Sequence, residues 1–349
     1  MKRFIREATF VLLLPIAVLI LVVATSCGYD STMPYQQPPG ASIDGLWTAS
    51  ASAPAVLRLD KSQLLASGDR TPATEIQTTS AALFNLNGVA FDSDGTLWVT
   101  SQDDSMLVAF DRSALTSSGS RVARTVIKST NGSLSEPIAL AFDKQHRLWV
   151  ANSNNGTLAR FDRAQLDAGG SQIPAVVIQS PTRPSALAFD AAGFLWVSNG
   201  RTNRVFAYSP AQLTASGAPT PQIVINSNGP SLASPAGIAF DAAGNLWVGN
   251  IGNQTVVSYS PAQLAVTGTP APSVVLSSTA GSISIPAGLA FDSDGSLWVV
   301  GGAGLLEKFP RASLAATGAP APSVTLRFPG FILFYSAAFW PKVAGLPLN

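Results

Sequence analysis

The sequence of 349 residues has one cysteine, one histidine and few charges, since Asp, Glu, Lys and Arg together make up only 12%. A single cysteine excludes a disulfide framework, and with a single histidine it also excludes a Cys/His zinc cluster. Any histidine-based acid–base chemistry would depend on His146 alone. The formal net charge of +1 gives no electrostatic footprint for nucleic acid. Because the chain has neither a strand-linked GxGxxG nor a phosphate loop, it predicts no nucleotide cofactor.

The first 42 residues differ in composition from the remainder. Three basic residues lie within the first six positions, and residues 8–29 carry no charge. A basic start followed by an apolar stretch is typical of an export signal, which we assign to residues 1–26. Residues 27–42 are polar and rich in proline, which predicts a flexible tether.

Cys27 stands at the end of the apolar stretch, directly after Ala24, Thr25 and Ser26. This arrangement resembles the signal of bacterial lipoproteins, in which the cysteine becomes the lipidated N-terminus. The resemblance implies cleavage before Cys27, a palmitate-type anchor in the membrane and an extracytoplasmic location in the cell envelope. An uncleaved N-terminal anchor stays open as the alternative, because the uncharged stretch is long enough to span a bilayer.

Internal repeats dominate the sequence after residue 42. The phrase Ala-Phe-Asp-x-x-Gly-x-Leu-Trp-Val occurs at 90–99, 188–197, 239–248 and 290–299, and a fifth copy at 141–150 has His146 in place of glycine. Its tryptophan recurs at steps of 47 or 51 residues, at Trp47, Trp98, Trp149, Trp196, Trp247 and Trp298. A second phrase, which we expect to form a short helical turn ended by glycine, keeps the same step with Gly68, Gly119, Gly170, Gly217, Gly268 and Gly318.

Each repeat indicates four short strands, which we label a to d. In the copy that contains Trp247 they are predicted at 236–241, 245–249, 255–259 and 273–276. An alanine recurs in the middle of every strand a, where we expect little volume beside a crowded axis. The residues concerned are Ala90, Ala141, Ala188, Ala239, Ala290 and Ala338.

Four strands in about 50 residues are typical of one blade of a β-propeller. The N-terminal copy lacks strand a, and residues 336–340 supply a spare one, so the C-terminal strand is expected to close the ring. The sequence thus predicts an all-β, six-bladed β-propeller of four-stranded antiparallel blades over residues 43–341, followed by a tail at 342–349.

Segments such as 235–248 and 286–299 make the sequence resemble NHL-repeat and gluconolactonase-like six-bladed propellers. The resemblance covers residues 43–341 and implies the architecture. Such propellers include hydrolases, lyases and plain binding scaffolds, so the resemblance does not decide the activity.

Candidate binding residues lie in the b–c and d–a loops, which share one end of the predicted ring and vary between repeats. They are Asp103, Asp104, Glu136, Asn152, Asn199, Arg201 and Asn250. The three asparagines recur at one repeat position and suit either sugar hydroxyls or Ca²⁺, or the local backbone of a turn, which their recurrence favours. Similarity to gluconolactonases implies a divalent cation held by carboxylates and asparagine near the axis, for which this end offers only three acids.

Residues at the opposite end of the predicted ring are interpreted as structural. The aspartates of the repeated phrase suit the first position of a hairpin turn, and His146 occupies a hairpin tip that requires a positive φ. Two functions stay open. The first is a non-catalytic binding or scaffold module for a protein, glycan or small ligand, without catalytic residues, resident metal or cofactor. The alternative is a divalent-metal-dependent hydrolase of lactone or ester type, which the scarcity of acids and histidine disfavours.

Overall fold

The structure, a computed structural model, describes residues 42–52, 54–78, 84–277, 283–302, 304–330 and 334–341. The predicted signal peptide (1–26), the tail (342–349) and all of the tether except Ser42 lie outside these ranges, and so does Cys27. Within the described ranges, no helix is long and apolar enough to cross a membrane.

Short strands make up nearly all of the regular structure. The strands of the first half are β1 (Gly45–Ser50), β2 (Ala55–Leu59), β3 (Gly68–Asp69), β4 (Thr74–Thr78), β5 (Leu86–Phe91), β6 (Leu97–Ser101), β7 (Met106–Phe110), β8 (Gly119–Arg121), β9 (Thr125–Lys128), β10 (Pro137–Phe142), β11 (Leu148–Asn152), β12 (Thr157–Phe161), β13 (Gly170–Ser171) and β14 (Val176–Gln179). Those of the second half are β15 (Ala186–Phe189), β16 (Leu195–Asn199), β17 (Arg204–Tyr208), β18 (Ile223–Asn226), β19 (Pro235–Phe240), β20 (Leu246–Asn250), β21 (Thr255–Tyr259), β22 (Val274–Ser277), β23 (Gly288–Phe291), β24 (Leu297–Val300), β25 (Leu305–Phe309), β26 (Val324–Arg327) and β27 (Phe334–Trp340). The helices are α1 (Arg163–Ala168), α2 (Pro261–Leu264) and 3-10 turns at Gln63–Leu65, Arg112–Thr116, Pro210–Leu213, Gly229–Ser231 and Arg311–Leu314.

The strands form six sheets, each the blade of a propeller. From the axis outward, the antiparallel strands are β27-β1-β2-β4 in blade 1, β5-β6-β7-β9 in blade 2, β10-β11-β12-β14 in blade 3, β15-β16-β17-β18 in blade 4, β19-β20-β21-β22 in blade 5 and β23-β24-β25-β26 in blade 6. The all-β, six-bladed propeller predicted from the sequence is confirmed. In blade 5 the observed strands differ from the predicted ones by no more than one residue at either end.

The C-terminal strand closes the ring, as predicted. β27 pairs antiparallel with β1, and Ala338 lies opposite Trp47 in the same register that places Ala239 opposite Trp247 within blade 5. Blade 1 therefore has its full set of four strands, although three come from one end of the propeller sequence and one from the other.

The glycines of the second repeated phrase make contacts between blades. Each pairs in parallel with strand d of the preceding blade, through β3, β8, β13 or a single bridge. The six pairs are Gly68–Leu326, Gly119–Ile76, Gly170–Ile127, Gly217–Ile178, Gly268–Ile225 and Gly318–Leu276. The prediction that these glycines end a helical turn is wrong, since α2, for example, ends at Leu264, and residue 268 already belongs to the contact with blade 4.

A hydroxyl group strengthens most of these inter-blade pairs. The residue before the glycine accepts a hydrogen bond from a backbone N–H of the neighbouring strand d, as Thr267 Oγ1 does from Val224 at 3.0 Å. Ser67, Ser118, Ser216 and Thr317 do the same at 2.9–3.1 Å. We call the Ser/Thr-Gly segment and its pairing the rim latch, because it lies on the outermost strand of each blade.

The apolar core lies between the blades, in six clusters that include the repeated tryptophans. No repeated tryptophan is more than 3% exposed. In five of the six interfaces the indole meets a phenylalanine of the next blade edge-on, at centroid distances of 6.0–6.5 Å. The tryptophans are therefore core residues, as the continuous apolarity of strand b predicts.

The repeated aspartate joins the a–b turn to this core. In blade 5, Asp241 Oδ1 accepts the backbone N–H groups of Ala243 and Asn245, and Oδ2 accepts the indole N–H of Trp247 at 3.0 Å. The same indole bond occurs in blades 2, 3, 4 and 6 at 2.9–3.4 Å. Each of these aspartates thus stabilises a hairpin turn and also accepts the buried indole N–H, which confirms its structural interpretation.

Glu307 is an ionisable residue buried in the core. It pairs with Val299 and Thr325 in blade 6, and Val299 belongs to the cluster between blades 5 and 6. Side chains of paired residues lie on the same face of a sheet, so the carboxyl group, only 4% exposed, faces that interface. The other blades have apolar residues here: Leu57, Val108, Ala159, Phe206 and Val257. Burial raises the pKa of Glu307 to about 8, although the nearby Arg327 acts in the opposite direction.

Candidate functional site

The inner strands enclose a cavity of about 280 Å³ at the axis of the ring. Every blade contributes to its wall through strand a, and Gln102 and Ile251 add side chains from b–c loops. The wall consists of Asn87, Val89, Gln102, Ile138, Ala139, Leu140, Ser185, Ala186, Leu187, Ala236, Gly237, Ile238, Ile251, Ala287, Gly288, Leu289, Tyr335, Ser336 and Ala337. None of these residues is charged.

Close approach of neighbouring inner strands explains the small residues in the wall. A Cβ atom built on Gly288 would lie 2.7 Å from Tyr335 O and 2.9 Å from Ser336 Cα. One built on Gly237 would lie 2.7 Å from both Ala287 O and Gly288 Cα. Contacts below 3.0 Å are not tolerated by real side chains, so the backbones themselves pack here.

The repeated alanines lie on the innermost strand of each blade, as predicted, and pack between blades. Ala90, Ala141 and Ala188 are fully buried in the clusters between blades, each opposite the tryptophan of its own strand b. The crowded positions at the axis lie two residues earlier in each strand. Side chains at the repeated alanine position point toward the neighbouring blade, so it is there that their small volume is needed.

Polar groups in the wall are few and mostly hold the loops. Asn87 Nδ2 donates to Gln102 Oε1 at 2.8 Å and to Asn85 O at 3.0 Å. Ser336 Oγ accepts the backbone N–H of Val89 at 3.1 Å across the ring closure. Ser185 Oγ accepts the backbone N–H of Gly200 at 3.2 Å, which connects the wall to the b–c loop of blade 4. The cavity wall therefore combines aliphatic side chains with a comparable area of uncharged polar atoms.

The three candidate asparagines are fully buried at the ends of strands b. Asn152 donates to Ser133 O and Thr157 Oγ1 and accepts from the backbone of Ser135, all within 3.1 Å. Asn250 has the equivalent three bonds, to Ser231, Thr255 and Ala233.

Asn199 also bonds the two loops of its blade to each other. Its amide donates to Arg183 O, and its Oδ1 accepts from the N–H and the hydroxyl of Thr202 at 2.9 and 2.8 Å. The side-chain amides of all three residues thus bind the local backbone and loop hydroxyls, which is the alternative that their recurrence favours.

The candidate acids lie in neighbouring loops of blades 2 and 3. Asp104 Oδ2 accepts Ser101 Oγ at 2.6 Å and the N–H of Phe84 at 2.9 Å. Asp103, which is exposed, accepts Asn85 Nδ2 at 3.2 Å, and Glu136 accepts Ser153 Oγ at 3.2 Å.

These acids do not converge on a cation site in the part of the chain that the structure describes. No group of three Asp, Glu, His or Cys side chains placed to hold a metal occurs in those residues. The acids serve instead as acceptors that join neighbouring b–c and d–a loops.

Two further predicted positions are at the surface. Arg201 is exposed in the b–c loop of blade 4, two residues after the buried Asn199. His146 is exposed at the a–b hairpin tip of blade 3 with a φ of 59°, as the missing glycine there predicts. The sequence did not indicate that Asn87, Gln102, Ser185 and Ser336 would face a common cavity, because they have no repeated motif.

Comparison with known protein families identifies the family to which this propeller belongs. A sequence model of the SMP-30/Gluconolactonase/LRE-like region matches residues 21–227, which is more than half of the chain. The chain belongs to this family. Among curated proteins, none matches the sequence.

Solved structures of similar fold include virginiamycin B lyase from Staphylococcus aureus. A structure of its catalytically inactive form with quinupristin is 13% identical, with a TM-score of 0.52, covering 86% of this chain and 94% of that chain. A selenomethionine-substituted form is 14% identical, with a TM-score of 0.50, covering 78% and 83%. At this identity the likeness concerns the fold of the SMP-30/gluconolactonase-like propeller and not its chemistry.

Proposed function

We propose that this SMP-30/gluconolactonase-like propeller is a non-catalytic binding module that holds a ligand in its axial cavity and the surrounding b–c and d–a loops. The composition of the cavity wall carries the proposal. Aliphatic and small polar side chains from all six blades converge there, and no lining residue has a carboxyl or imidazole group. Mostly apolar cavities with a few polar atoms are typical of ligand sites.

Ligand-dependent stabilisation tests this function. Purified full-length protein is screened by thermal unfolding against uncharged, anionic and cationic small molecules, and stabilising compounds are then tested on Ala236→Phe. Because Ala236 lines the cavity, the larger side chain should remove the stabilisation. The matched control is Ala192→Phe, at the exposed a–b turn of blade 4 on the opposite end. Stabilisation that survives Ala236→Phe would place binding elsewhere.

The alternative function is a divalent-metal-dependent hydrolase of lactones or esters. Its support is the family itself and the presence of Asp103, Asp104 and Glu136 at the same end of the ring. Metal analysis and assays of lactone and ester hydrolysis, with and without added Ca²⁺, Mg²⁺, Mn²⁺ and Zn²⁺, decide between the two. Turnover that disappears in Asp104→Asn or Glu136→Gln would replace the binding function with the hydrolase.

The proposal includes export and a lipid anchor at Cys27. Its support is the sequence alone, in which a basic and then apolar segment ends in small residues before the lone cysteine. Cys27→Ala should abolish labelling with a palmitate analogue and leave an unprocessed precursor. Normal processing of that variant would favour cleavage at another site, and a full-length membrane-bound protein without lipid would favour the uncleaved anchor.

A further inference from the structure

Charged residues within the loops around the mouth of the cavity lie on one side, and the exposed Lys128 and Arg327 end the outermost strands of blades 2 and 6. The b–c and d–a loops of blades 1, 5 and 6 contain no charged residue, and neither does the d–a loop of blade 4. The remaining loops contain three acids and two arginines, and Arg204 follows as the first residue of β17. In ring order, the acids Asp103, Asp104 and Glu136 come first, and Arg183 and Arg201 come next.

The acids and the arginines differ in whether their charged groups form hydrogen bonds or salt bridges with other residues that the structure describes. Each acid accepts at least one hydrogen bond from the adjacent loop, as the site geometry shows. The guanidinium groups of Arg183 and Arg201 have neither a salt bridge nor a hydrogen bond to any of the residues that the structure describes. Both side chains are exposed. The two guanidinium groups can therefore bind a ligand without breaking an existing contact, whereas the carboxylates already accept hydrogen bonds.

Two contacts hold the arginine loops beside the cavity wall. Ser185, which lines the cavity, follows Arg183 by two residues, and its hydroxyl accepts the N–H of Gly200, the residue before Arg201. The buried Asn199 donates from its amide nitrogen to Arg183 O in the d–a loop and accepts the N–H of Thr202 in the b–c loop. The loops that carry Arg183 and Arg201 are thus held to each other and, through Gly200, to the wall at Ser185, so both loops border the cavity.

We propose that the axial cavity binds an amphipathic anion, with an apolar body against the aliphatic wall and a carboxylate or similar group at Arg183 and Arg201. This inference rests on the proposed function, since it assigns a ligand class to the same cavity. Guanidinium groups recognise carboxylates through paired, charge-assisted hydrogen bonds. The loops of blades 5, 6 and 1 are uncharged, and the cation on that side, Arg327, ends the outermost strand of blade 6, four strands from the axis.

A matched pair of probes tests the proposal on the full-length protein. The dissociation constants of 4-phenylbutyrate and 4-phenylbutanamide, which differ in charge and not in apolar body, are measured by calorimetry. We expect the anion to bind at least about tenfold more tightly than the amide, and the difference to shrink at high salt. Arg183→Gln/Arg201→Gln should reduce the difference to within about twofold.

Control variants separate charge from folding and from position. Arg311→Gln removes an exposed arginine at the opposite end of the ring and should leave the preference unchanged. Arg183→Lys/Arg201→Lys keeps the charge and should recover at least part of it, which a merely misfolded double variant would not allow.

The outcomes distinguish this inference from the function on which it rests. If both probes bind equally and Ala236→Phe abolishes both, the cavity is a ligand site but the anion preference is wrong. If the anion preference persists in the double glutamine variant, other groups recognise the charge and the assignment to these arginines fails. If neither probe binds, the preference is refuted, and the screen with Ala236→Phe then decides the binding function independently.

Discussion

The carboxyl group of Glu307 makes the stability of the propeller depend on pH. The group is buried between blades 5 and 6, and its pKa is raised from an ordinary 4.5 to about 8. The folded protein therefore holds this proton more tightly than the unfolded chain does. A group of this kind contributes its full stability below its unfolded pKa and loses that contribution as the pH rises through its folded pKa.

The size of the effect follows from the shift. Each pKa unit corresponds to about 1.4 kcal/mol, so raising the pH from about 5 to about 8 should cost the folded state about 3 kcal/mol through this group. Glu307→Gln keeps the shape of the neutral acid and cannot ionise. The variant should be within about 1 kcal/mol of the wild type near pH 5 and about 4 kcal/mol more stable near pH 8.

Urea unfolding of both proteins at the two pH values measures this difference directly. Glu75→Gln, at a half-buried strand position in blade 1, is the matched control and should leave the wild-type pH dependence unchanged. Equal pH dependence in the wild type and in Glu307→Gln would refute the reasoning, because the interface would then tolerate the ionised carboxylate. A still steeper loss of stability with pH is expected in Arg327→Gln, which removes the one opposing charge that acts on Glu307.

Three further predictions concern the packing of the ring, each measured by urea or thermal unfolding. Asp241→Ala should cost about 2–4 kcal/mol, since it leaves the buried indole N–H of Trp247 and two turn N–H groups without their acceptor; no loss would mean that water replaces the carboxylate. Gly288→Ala should cost about 1–3 kcal/mol because the new methyl meets the backbone of strand β27, whereas Gly217→Ala, which meets nothing within 4 Å, should be nearly neutral. Deleting residues 336–349 should expose the edge of β1 and reduce solubility, and a deletion that melts like the full chain would contradict closure by β27.

The repeated residues explain why so much of the fold could be predicted from the sequence. Asp241 and Trp247 recur at fixed spacing in five blades, so a period of about 50 residues, strand lengths and hairpin turns could all be recognised together. The orphan strand at 336–340 could be assigned because its partner was visibly missing from the first repeat. What repetition could not supply was the partner of each repeated residue, and the rim latch at Gly268 was therefore mistaken for the end of a helix.

The site was harder to predict because its residues do not repeat. Asn199 attracted attention by recurrence, yet recurrence here marks a structural role shared by three blades, a buried amide that binds the loop backbone. Ser185 and Gln102 line the cavity without belonging to any pattern, and only the closed ring brings them to one axis. The ionisable Glu307 was equally hidden, because its apolar counterparts have no common motif.

The two closures of the ring lie at different distances from the axis, and this affects how the molecule bears force. β27 joins β1 beside the axis, whereas the latch at Gly68 joins β26 at the rim. A ring closed only by the pairing of β27 with β1 could open by rotation about that pairing. The latch at Gly68 lies farther from the axis, so its contacts with β26 oppose that rotation with a larger torque. Tension applied at the N-terminal end of the propeller would enter at blade 1, the blade that bears both closures, and would be divided between them.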